Sequence, residues 1–179
     1  VESLGMFEAI FGRAIGSSIF VDVNEKISGA ASKFTFSLVS ENAVPDFLLY
    51  YAVKQFFDNG GQNCVIVSVG DGTAETFGKD NFLRALNVLK NEPEITLVAI
   101  PDLYSPLFAK FADEKGLEPL AQIAEVTDEA LAACSEQLNC FWLGDVPYTA
   151  ERGKGGLVRA NKFISSLLAT DDSKTYGAI

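Results

Sequence analysis

The stretch from Leu48 to Gly70, LLYYAVKQFFDNGGQNCVIVSVG, constrains this chain most, because it sets a helix, a stop signal and an apolar β-branched run side by side. From Leu48 to Phe57 the apolar residues fall at 48, 49, 52, 53, 56 and 57, with Tyr50 and Tyr51 between them. That spacing predicts a helix with a wide apolar stripe, largely buried. Asn59-Gly60-Gly61 ends it, with Gly60 placed to take the left-handed conformation of a helix C-terminus. Val65-Ile66-Val67-Ser68-Val69 lacks clean alternation and predicts a strand covered on both faces, as in a parallel sheet.

Around this stretch the chain alternates. Ser3 can cap a helix through Phe11, stopped by Gly12, and Ile19 to Val23 and Phe34 to Val39 read as strands, the second with one exposed face. Pro45 and Asp46 suit the first turn of the central helix. Asp80 can cap a helix from Asn81 to about Asn91, ended by Pro93, with Phe82, Leu83, Leu86 and Leu89 inward. Ile95 to Ile100 is a second continuous apolar strand. Ser105 to about Leu138 is helical in pattern but broken at Gly116 and Pro119, so two helices and a bend are expected. Cys140 to Leu143 is a third short strand, Tyr148 to Gly156 a loop, and Leu157 to Leu168 a last helix with Val158, Phe163, Ile164 and Leu167 apolar.

Helix, strand, helix, strand, helix pair, strand, helix is the order expected of an α/β fold: a mainly parallel, mixed-edge sheet flanked by helices on both faces. The 179 residues fit one domain, with residues 1–44 supplying edge strands and residues 45–179 the main α/β core. The start at Val1 and the apolar end at Ile179 read as a piece of a longer protein.

Composition narrows the function. At 48% hydrophobic and 21% charged the chain reads as soluble and globular, with no run near ~18 apolar residues and no signal-peptide pattern. A net charge of -10 with 14 scattered basic residues argues against nucleic acid, which needs clustered Lys and Arg. The absence of histidine removes the commonest general base. Cys64, Cys134 and Cys140 have no metal-ligand spacing and read as small core residues.

The sharpest catalytic candidate is three aspartates, Asp71, Asp102 and Asp145, each just past the carboxyl end of an expected strand. Carboxylates gathered there can hold Mg²⁺ for hydrolysis or phosphoryl transfer. The plain alternative is that aspartate favours turns and helix caps, and each sits beside Gly or Pro. The glycine-rich stretches fail as phosphate loops: Gly78-Lys79-Asp80 has Thr73 where the first glycine belongs, and Asp80 replaces the hydroxyl residue. Gly153-Lys154-Gly155-Gly156 lacks both features and reads as a surface loop. Phe47, Tyr50, Tyr51, Phe56 and Phe57 suit core packing or the docking of a neighbouring subunit.

The central stretch resembles the signature of contractile tail sheath proteins, found in phage tails and extracellular injection systems: a Tyr-containing helix, Phe-Phe-Asp/Glu-Asn-Gly-Gly, then a Cys-bearing strand. VESLGMFEAIFG (Val1 to Gly12), ITLVAIPD (Ile95 to Asp102) and KTYGAI (Lys174 to Ile179) are similar to that family's flanking segments, in the same order. Asp145-Val146-Pro147 is also compatible, whereas Val21 to Asn42 does not align. The resemblance covers the family's middle region and implies a single sheath-type domain without the N-terminal arm and C-terminal domain that link subunits. It further implies a non-enzymatic subunit that stacks as hexameric rings around an inner tube, with baseplate and terminator proteins as partners. In that role there are no catalytic, cofactor-binding or metal residues. Such a chain is made in the bacterial cytoplasm and ends in a phage tail or a released particle. The runner-up from the residues alone is a carboxylate-metal enzyme on a Rossmann-like sheet.

Overall fold

Ser3 starts the first helix as its sequence predicts. In the computed structural model, which describes residues 1–14, 21–28, 31–38, 45, 47–71, 73, 75–137, 140–147, 154–167 and 176–178, the Ser3 hydroxyl accepts the Met6 N–H at 3.1 Å and α1 runs Leu4–Phe11. Gly12, at φ +83°, ends it. The following elements are β1 (Val21–Ser28), β2 (Ala31–Leu38), α2 (Leu49–Asp58), α3 (Lys79–Leu89), β3 (Leu97–Ala99), a 3-10 turn (Pro101–Tyr104), α4 (Pro106–Glu114), α5 (Pro119–Gln137), β4 (Phe141–Leu143), α6 (Lys154–Ser166) and β5 (Gly177–Ala178).

Both glycine stops work as the sequence predicts, and by the same device. Gly60 (φ +87°) donates its N–H to Phe57 C=O at 3.0 Å while Gly61 donates to Phe56 C=O at 2.9 Å. Gly116 (φ +69°) donates to Asp113 C=O and Leu117 to Ala112 C=O, both at 2.9 Å. This crossed pair of bonds satisfies carbonyls that a helix end otherwise leaves open, and only glycine takes the positive φ without strain. Pro119 then opens α5 at a position where its missing N–H costs nothing.

The expected sheet is not what forms. Among the described residues there is no extensive parallel sheet flanked by helices on both faces. A two-stranded antiparallel hairpin, β1 with β2, stands apart from a short parallel sheet ordered β3-β4-β5. β1 and β2 therefore do not extend an edge of the core sheet. Residues 19 and 20 of the first predicted strand lie outside the described residues; from Val21 the strand runs on to Ser28.

The physical reason shows in burial. Val98 and Trp142, paired in register across β3 and β4, are buried, while their neighbours Leu97, Ala99 and Leu143 are exposed, Leu97 at 60%. The continuous apolar runs predicted cover on both faces, but α5 packs beside β4 and the opposite face stays open. Val65 to Val69 forms no strand, and Val65 is 60% exposed. A β-branched run favours extended backbone, yet a strand exists only where a partner meets it. Here a cleft separates that run from β3.

The core is gathered on the later elements. Phe77, Phe82 and Phe108 meet edge to face, with centroids 5.4, 5.6 and 6.2 Å apart, and Leu103, Val126, Trp142 and Phe163 lie with them out of solvent. Lys79 and Lys90 tie α3 to α5 through Glu125 and Glu129. In α2 only Val53 is fully buried, so the predicted burial of that helix is overturned. Smaller shifts follow from capping. Gly78, not Asp80, precedes α3, leaving Asp80 in its first turn, where a carboxylate favours the helix dipole. Residues 154–156, read as loop, begin α6. Of the predicted α6 stripe Phe163 is buried and Leu167 partly so, while Val158 and Ile164 face out. Among the described residues no helix is long and apolar enough to cross a membrane.

Candidate functional site

A cleft of about 1330 Å³ opens between residues 63–71 on one side and 94–102 on the other. Phe7, Phe47, Tyr50, Phe77 and Phe82 also line it, so its floor touches the core and its rim carries α1 and α2. The elements around it are joined by long-range bonds. Val1 N–H donates to Cys64 C=O at 2.7 Å, and Cys64 N–H donates back to Val1 C=O at 3.0 Å. The Tyr50 hydroxyl donates to Glu8 Oε1 at 2.9 Å, and Arg13 Nε meets the other oxygen of Glu8 at 2.9 Å. Acceptance by Glu8 holds the Tyr50 phenol above its usual pKa. Asn81 Nδ2 donates to Val69 C=O at 3.0 Å and fixes the far end of the segment.

The three aspartates do not converge. Asp71 and Asp102 border the cleft, and Asp145 is not among its lining residues. Each is committed to backbone. Asp71 accepts the Thr76 hydroxyl and, at 3.2 Å, the Thr73 N–H, and these bonds hold its carboxyl below the usual value. Asp145 accepts the Val146 N–H at 2.7 Å. Asp102 has the most consequential place: one oxygen accepts the N–H groups of Leu48 at 2.5 Å and Leu49 at 2.9 Å. It is the N-terminal cap of α2, supplied from 54 residues away. Burial pushes the Asp102 carboxyl up, and the two N–H bonds only partly oppose this. Among the described residues no group of three or more Cys, His, Asp or Glu side chains is placed to hold a metal ion.

Phe11, Phe47 and Phe56 line the cleft, and the helices at its rim leave further apolar surface uncovered. Phe47, Tyr51 and Phe56 around α2, and Met6, Ile10 and Phe11 on α1, remain exposed. The hairpin adds a second patch: Val23 pairs with Phe36 in register, Phe34 lies two residues along on the same face, and all three are exposed, Phe36 at 70%. Exposed apolar clusters are places where another protein, a membrane or an apolar ligand can dock. The pattern Phe34, Thr35, Phe36 gives the strand but not the single exposed face expected of it: Lys33 and Thr35 are exposed as well as Phe34 and Phe36, because nothing among the described residues covers either side of the hairpin.

Two features escape sequence reasoning. Cys134 and Cys140, six positions apart, place their sulfurs 2.8 Å from each other in the core. The capping bond from Asp102 to α2 has no local signal at either end. No protein-family model matches the chain, and no curated protein matches it.

Proposed function

We propose that this chain is the middle region of a contractile sheath subunit, a structural protein that stacks as hexameric rings around an inner tube and shortens to drive that tube through a target envelope. The observation that carries the reading is the exposed aromatic and aliphatic surface of α1 and α2, the two helices built from segments that resemble the sheath family. Phe11, Phe47 and Phe56 are the kind of surface that a subunit of a lattice buries against its neighbours. The resembling segments are also bonded to each other: Val1 to Cys64, and Asp102 of ITLVAIPD to the first residues of α2.

In this role the chain needs no cofactor and no catalytic residue. Its partners are further copies of itself, the tube, and baseplate and terminator proteins, in a particle built in the bacterial cytoplasm and carried in a phage tail or released. Contraction is a change between two packings of rigid subunits, of the kind that interfaces with two stable arrangements permit. Electron microscopy of the full-length protein tests this: tubes or stacked rings are expected, and Phe11→Ser with Phe56→Ser should abolish them while the fold survives. A full-length protein that stays monomeric across salt and concentration would overturn the proposal.

A further inference from the structure

We propose that Cys134 and Cys140 form an oxidisable dithiol, the site of an internal disulfide made by exchange with a low-molecular-weight disulfide. The inference is independent of the sheath reading and stands or falls on its own test.

The geometry is specific. Cys134 lies near the end of α5 and Cys140 immediately before β4, and their Sγ atoms face each other at 2.8 Å, against about 2.05 Å in a formed bond. No disulfide joins them in the structure. Only 1% of Cys134 and 4% of Cys140 is exposed, and both belong to the core that holds Leu131 and Trp142. Cysteines used only as small apolar residues need not aim their sulfurs at one another. Cys64 lies apart from the pair, partly exposed, and provides an internal comparison.

The exchange balances without any further reagent. One of the two thiols, as thiolate, attacks one sulfur of R–S–S–R, giving a mixed disulfide and releasing RS⁻. The other, as thiolate, then attacks the protein sulfur of that mixed disulfide, the protein disulfide closes, and the second RS⁻ leaves. Two protons pass from the protein thiols to two RSH; the protein dithiol is oxidised and the small disulfide reduced. Burial and the adjacent Cys140 thiol push the Cys134 thiol up, which slows exchange in the closed fold. Because both sulfurs are enclosed, exchange needs local opening of the core around them. Once formed, the bond is shielded from reductant by the same enclosure. A chain that passes from a reducing to an oxidising compartment thus gains a lock in its core with no change at its surface.

The test uses the reduced chain and oxidised glutathione as the probe, with and without dilute urea, followed by alkylation, digestion and mass spectrometry. The expected product is a peptide pair joined through Cys134 and Cys140, lighter by two hydrogens and free of glutathione, formed faster in dilute urea. The melting temperature should rise on the order of 5 °C for a closed loop this short. Cys64→Ser should keep both results, and Cys140→Ala should lose both. Because the bond is mapped in the unaltered chain, poor folding of a variant does not blunt the test. Recovery of Cys134 and Cys140 as two alkylated thiols or two separate glutathione adducts would overturn the proposal. So would a cross-link from either to Cys64.

Discussion

Replacing Asp102 by alanine should unfasten one helix while leaving the core untouched. The side chain gives a single oxygen to the N–H groups of Leu48 and Leu49, and α2 has no side-chain cap of its own. Loss of an N-cap costs about 0.5–2 kcal/mol, and a half-buried donor left without a partner adds to that, so roughly 2 kcal/mol is expected for Asp102→Ala. For a chain of this size that corresponds to a fall of about 4–8 °C in melting temperature. Asp102→Asn keeps an acceptor oxygen and should lose less than about 1 kcal/mol at neutral pH. The two variants also separate by pH. Asp102 is raised in the fold, so the stability its protonated form contributes is present below the unfolded carboxyl value and lost as pH rises through the higher folded one. The asparagine variant lacks that loss and should gain on the parent between pH ~4 and neutrality. Urea unfolding followed by circular dichroism at both pH values measures this. An alanine variant as stable as the parent, or an asparagine variant as damaged as alanine, would refute the capping argument.

Other expectations can be checked the same way. Gly60→Ala forces a side chain into a positive φ of +87° and should cost about 1–2 kcal/mol by urea titration, through loss of the α2 stop. Gly177→Ala would place a methyl group against Leu131 and 3.2 Å from Trp142 Cβ, so about 1–3 kcal/mol should be lost by calorimetry, and β5 should exchange its amides faster. Phe36→Ser, on the exposed hairpin, should change the stability of the chain by no more than about 0.5 kcal/mol, and under the proposed sheath role should weaken ring assembly in sedimentation.

What the sequence revealed was what residues encode locally. Ser3, Gly60, Gly116 and Pro119 set helix ends through bonds to residues within one turn, so their positions could be read directly. Val65 to Val69 misled because a β-branched run encodes a backbone preference and not a partner. Ile95 to Ile100 and Cys140 to Leu143 do hold strands, but Leu97 and Leu143 face out, and no pattern in six apolar residues says which face a helix will cover. The aspartates were noticed for their places after expected strands. Asp102 proved important for a different reason, since its partners lie 53 and 54 residues away. The same holds for Cys134 and Cys140, which meet only because α5 and β4 turn back on each other.

The cap that α2 takes from Asp102 also bears on the order in which the chain folds. A helix of ten residues is too short to persist on its own, and this one begins at Leu49, past Pro45, where the sequence predicts the first turn, with Leu48 making no side-chain cap bond. We expect α2 to settle only once the turn after β3, and with it the packing of α4 and α5 around Leu103 and Phe108, is in place. Native-state amide exchange should find α2 opening at lower free energy than α5. The Leu49–Asp58 helix is then expected to loosen while the Phe77, Phe82 and Phe108 core remains folded.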